Sequence, residues 1–166
     1  LISSAVNSCP VLVAGFFVLN NGNTFMSNTI QKNKEHGIFL LGSSINNFFE
    51  GNDISGNGGN KKVGEGNIVI SQDATQVELT FKNNKVSDGC GLWQANADAS
   101  VTLAGNDFCD SGGTRTCADG YKISCANGAK ITNNGGNDCL LQEASKECFS
   151  SPIPTTNVPT YDPSRA

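Results

Sequence analysis

With 166 residues, 16% charged side chains and a net charge of −4, the chain has room for one domain and shows no basic patch for nucleic acid. No stretch reaches the roughly 18 apolar residues of a membrane-spanning helix. The apolar run 10–19 is also too short for that and lacks the basic flank of a signal peptide.

In chain order, the first strand-like piece is Gly15-Phe16-Phe17-Val18-Leu19, read as part of an opening coil. An apolar residue then precedes an asparagine by three positions in five segments: Phe25–Asn28, Phe49–Asn52, Phe81–Asn84, Leu103–Asn106 and Ile131–Asn134. The asparagines are 24, 32, 22 and 28 residues apart, an irregular period of the kind repeat proteins show when loops vary. Ile30, Ile54, Val86 and Phe108 each follow such an asparagine by two residues. Ile38/Leu40, Ile68/Ile70 and Tyr121/Ile123 alternate after a glycine, as in strands with one buried face, and Leu92 after Gly91 is the weaker match.

Each apolar run is short and ends in Gly or Asn, and no helical period with caps is sustained. A unit of three short strands cannot bury its own apolar side and must stack on its neighbours. The predicted fold is therefore all-β, a right-handed parallel β-helix (a solenoid) of about five coils. Stacked asparagines would bond in a ladder and tolerate sharp corners, which accounts for the 21 asparagines and 19 glycines structurally.

Of seven cysteines, six fall in residues 90–148, where the repeat degrades. They predict a disulfide-stapled C-terminal end and a secreted or extracellular setting. Cys109–Cys117 and Cys139–Cys148 are the local pairs expected, with Cys9 left over. The absence of Cys-x-x-Cys and the single histidine argue against zinc. The odd cysteine and the start inside a repeat suggest the C-terminal part of a longer β-helix. The expected organisation is a β-helix over 1–149 and a Pro/Ser/Thr-rich tail over 150–166. No asparagine lies in an N-glycosylation sequon.

The stretch from Asn28-Thr-Ile-Gln-Lys-Asn33 through Gly37–Asn47 to Asn52-Asp-Ile-Ser-Gly-Asn57 resembles the parallel β-helix repeats of the pectin-lyase-like superfamily. Within it, the chain is similar to the group that includes mannuronan C5-epimerases. The resemblance covers residues 23–108 and rests on architectural residues. It implies an extracellular protein that acts on or binds polysaccharide, as a uronate lyase or C5-epimerase relative. The Tyr/Asp/His motif of those epimerases has no match here, and the only histidine is His36.

Removing a C5 proton from a uronate needs a base, an acid and a cation for the carboxylate. His36 is the candidate base, with Lys34, Lys61 or Lys62 as the cation; Lys61, Lys62 and Glu65 lie in the longest insertion, 57–65, where repeat proteins often bind ligands. If Ile38, Leu40, Ile68, Ile70 and Leu92 point inward, Phe39, Val69 and Trp93 point outward, with Phe17 extending the stripe and Lys122 ending it. Such a stripe suits sugar rings or a partner protein. No cofactor is called for; scattered aspartates leave calcium as the alternative. The competing function is a non-catalytic structural or adhesion module. An ice-binding solenoid would need flat threonine rows, and the outward row after the glycines is not threonine.

Overall fold

The structure is a computed structural model that describes residues 14–18, 21–58, 64–109 and 116–149. Its strands are β1 (Ala14–Val18), β2 (Thr24–Met26), β3 (Thr29–Gln31), β4 (His36–Leu40), β5 (Ser43–Glu50), β6 (Asp53–Ser55), β7 (Gly66–Ile70), β8 (Thr75–Lys82), β9 (Lys85–Ser87), β10 (Leu92–Gln94), β11 (Ser100–Ala104), β12 (Ile123–Cys125) and β13 (Thr132–Asn133). One short helix, α1 (Leu140–Glu143), and a 3-10 turn at Lys146–Cys148 follow. The predicted tail 150–166 lies outside the described residues, as does Cys9.

The strands form three sheets, ordered β1-β4-β7-β10-β12, β2-β5-β8-β11-β13 and β3-β6-β9. Every strand pair is parallel. Chain order therefore cycles through the sheets, and each coil adds one strand to each of the first two. Single bridges Lys85–Asp107 and Asp107–Asp138 extend the third sheet through the last coils. The result is the right-handed parallel β-helix that the repeats predict, with five coils among the described residues in its first two sheets.

Register stacks like on like. Ile38, Ile68, Leu92 and Ile123 form one inward column. Phe25, Phe49, Phe81 and Leu103 form the second, and Ile30, Ile54 and Val86 the third. All are buried in one continuous core. The phenylalanines lie face to face, Phe25 to Phe49 at 4.7 Å and Phe49 to Phe81 at 4.6 Å, with planes within 5° and 11°. A flat ring repeats at this spacing because adjacent strands are about 4.8 Å apart.

The asparagine ladder is present. Asn28 donates from Nδ2 to Asn52 Oδ1 at 3.0 Å; Asn52 to Asn84 and Asn84 to Asn106 follow at 2.9 Å. Its last rung is Asn137, which accepts from Asn106 at 2.9 Å, and not Asn134 as expected. Gly135 and Gly136, both at positive φ, carry an extra loop that displaces the rung and leaves Asn134 exposed. A second ladder runs Asn33–Asn57–Asn67. Its third amide comes from β7 because the corner position equivalent to Asn33 and Asn57 is Gly89. A Cβ there would lie 3.3 Å from Asn67 Nδ2.

The disulfides differ from the two local pairs expected. Cys90 joins Cys117, Cys109 joins Cys139 and Cys125 joins Cys148, with sequence separations of 27, 30 and 23. The first two link neighbouring coils, and the third ties the last coil to the C-terminal turn. The physical reason is stacking: residues one coil apart sit at strand spacing, and these Cα atoms lie 4.3–5.2 Å apart. Leu140, Ala144 and Cys148 close the core at that end.

Candidate functional site

The first sheet carries the outward column Phe39–Val69–Trp93, one residue from each of three successive coils. Inward neighbours Ile38, Leu40, Ile68, Ile70 and Leu92 are each at most 1% exposed, so alternation holds as predicted. A groove of roughly 490 Å³ lies over this column. Phe39 and Trp93 are half-buried, whereas Val69 between them is only 2% exposed. Val69 thus points outward as expected, but its larger neighbours cover it and it offers little surface.

The stripe ends on Ser124, which is in register with Trp93, and not on Lys122 as expected. Ile123 alone aligns with Leu92; Lys122 is 6% exposed and Tyr121 stands in the turn before the strand. The strand begins at Ile123, two residues beyond Tyr121, so the alternation expected from Tyr121 does not set its outward face. Phe17 is in backbone register with Phe39, and its side chain lies outside the described residues. Lys61 and Lys62 also lie outside them.

The rim of the groove is polar. Ser71, Gln72 and Asp73 occupy the turn between β7 and β8, and Asn127 the turn after β12. The Asp73 N–H donates to Ser71 Oγ at 3.2 Å. Asn127 Nδ2 donates to the Ala95 carbonyl at 3.2 Å and reaches Gln72 Oε1 at 3.5 Å. Sequence reasoning missed Ser71, Gln72 and Asn127 and counted Asp73 only among the scattered aspartates. Their signal was positional: Gln72 follows the last residue of its front strand by two, and Asn127 does the same in its own coil.

His36 is not among the residues lining the groove. A Cβ on Gly37 would sit 2.7 Å from Asn57 Nδ2, so Gly37 yields its inward side to the ladder. His36, one residue earlier, faces outward and stacks on Phe39, with centroids 4.6 Å apart and planes at 15°. It is 7% exposed and its Nδ1 lacks a hydrogen-bond partner among the described residues. Burial pushes its pKa below the ordinary imidazole value, against the opposing pull of Glu35 and Glu65. Half-buried Glu65 thus acts on His36 and does not line the groove, while Lys34 is exposed.

This arrangement can stack on a ring and hydrogen-bond its edge. Among the described residues, no three of His, Cys, Asp and Glu converge to hold a metal ion, and no helix is long and apolar enough to cross a membrane. A threonine row does exist, on the second sheet, where Thr24, Phe48, Thr80, Thr102 and Thr132 align; Phe48 interrupts it.

Compared with known families, residues 6–108 match a family described as a right handed beta helix region. No curated protein and no solved structure matches the chain.

Proposed function

The chain belongs to the right handed beta helix family, and from that premise we propose that it binds polysaccharide in the groove on its first sheet. The observation that carries this reading is the placing of Phe39 and Trp93 on either side of Val69, in one groove with an amide and hydroxyl rim. Aromatic rings stack on the apolar faces of sugars, and convergent polar groups fix orientation. Three disulfides suit an oxidising compartment, so the proposed setting is extracellular.

Binding is proposed in preference to turnover. Lyase or C5-epimerase chemistry would need a base open to the ligand beside an acid and a cation. His36 is instead buried against Phe39, and the described lining of the groove contains neither a lysine nor an arginine.

A glycan-array screen of the disulfide-bonded protein, with Trp93→Ala as control, tests the reading. Binding that Trp93→Ala abolishes is the expected outcome. A folded protein that binds no glycan would reject it in favour of a structural or adhesion module.

A further inference from the structure

Resting on the reading of the groove as a glycan site, we infer that its ligand is an uncharged polysaccharide and that Asp73 excludes acidic ones. Among the described residues lining the groove, Asp73 alone is charged. Its turn is pinned by the bond from its own N–H to Ser71 Oγ, which keeps the residue on the rim.

Phe39 and Trp93 stand two coils apart, about 10 Å by strand spacing. A chain that covers both must extend over more than one sugar ring and pass the Asp73 side. A polyuronate carries a carboxylate on every ring, so one of them is brought towards Asp73. No cation of the described lining offsets that repulsion. The net charge of −4 adds a longer-range field of the same sign.

A neutral sugar meets a matched surface instead. Its apolar face covers Phe39 and Trp93, while its hydroxyls reach the amides of Gln72 and Asn127. Those amides are joined to each other and, through Asn127, to the Ala95 carbonyl, so they form one continuous edge.

Calorimetric titration of the intact disulfide-bonded protein separates the outcomes. The probes are cello- and manno-oligosaccharides as neutral chains and oligogalacturonates as acidic ones, at low and high salt. The expected result is neutral binding that Trp93→Ala removes, with acidic chains about tenfold weaker or worse at low salt. High salt should narrow the gap. Asp73→Asn should narrow it too, and Asp73→Lys should reverse the preference. Both changes are on an exposed turn and leave the core intact.

Acidic chains bound as tightly as neutral ones, at a Trp93-dependent site and with no response to Asp73→Lys, would overturn the inference and leave the glycan reading standing. No Trp93-dependent binding of either class would overturn both.

Discussion

The imidazole of His36 lies flat on the ring of Phe39, centroids 4.6 Å apart, so the one histidine of the chain supports an aromatic wall of the groove without lining the groove itself. Its folded pKa lies below the unfolded value because burial disfavours the charged form. Unfolding therefore takes up a proton in the interval between the two values, and stability rises with pH there. The contribution is complete above about 6.5 and is lost as pH falls through the folded value. Thermal unfolding midpoints should drop as pH is lowered past about 6.5. His36→Leu should flatten that drop. An identical pH profile in wild type and His36→Leu would show that His36 is not the group responsible.

The phenylalanine stack makes a second prediction. Phe49 is 0% exposed and is sandwiched between Phe25 and Phe81. Phe49→Ala removes both stacked faces and leaves a cavity that rigid coils cannot close, at a cost of about 3–5 kcal/mol. Denaturant titration of the variant measures it. An unchanged midpoint would mean that Phe49 does not face the core.

The ladder register is tested by two neighbouring asparagines. Asn137 Oδ1 accepts from both the backbone N–H and Nδ2 of Asn106, and its own Nδ2 donates to the Leu103 carbonyl at 3.0 Å. Asn137→Ala leaves these groups short of partners and should cost about 1–3 kcal/mol. Asn134→Ala changes an exposed side chain and should stay within about 0.5 kcal/mol of wild type. The reverse ranking would restore Asn134 as the rung.

Gln94 is a polar residue in an apolar column. It stands in register with Ile70 and Cys125, is 0% exposed, and neither of its amide atoms has a partner among the described residues. A buried amide without partners carries its desolvation cost in full. Gln94→Leu keeps the bulk and removes the unpaired groups, so its unfolding midpoint should rise. A fall would indicate that an internal water satisfies the amide.

Most of the fold was legible because the repeat writes the same chemistry at each level. Ile38, Ile68 and Leu92 alternate after glycines, and Asn28, Asn52, Asn84 and Asn106 recur with aromatic or aliphatic partners three positions earlier. What failed was vertical alignment where loops lengthen. Asn134 for Asn137, and Lys122 for Ser124, are slips in register along one coil. The disulfides failed for a related reason: proximity in a solenoid is measured between coils, and the pairing of Cys109 with Cys139 follows the Asp107–Asp138 bridge beside it. Of the candidate site, Phe39 and Trp93 were readable from alternation, whereas the rim required knowing which turns stack. Gln72 and Asn127 come from turns two coils apart, and Asn127 also bonds the Ala95 carbonyl of the coil between them.

The placement of the disulfides also bears on how the molecule comes apart. In a solenoid each coil holds only its neighbours, so loss of structure travels as a zipper from one end. Opening that starts at β1 meets no covalent barrier among the described residues until Cys90, and from there the Cys90–Cys117 bond locks the next coil to the one after it. Under protease or tension, the coils before Cys90 would peel away first. A knot of cross-linked coils around β10 to the C-terminal turn would survive as the last ordered body. The groove straddles that frontier, with Phe39 on the side that opens early and Trp93 on the side that is bolted down.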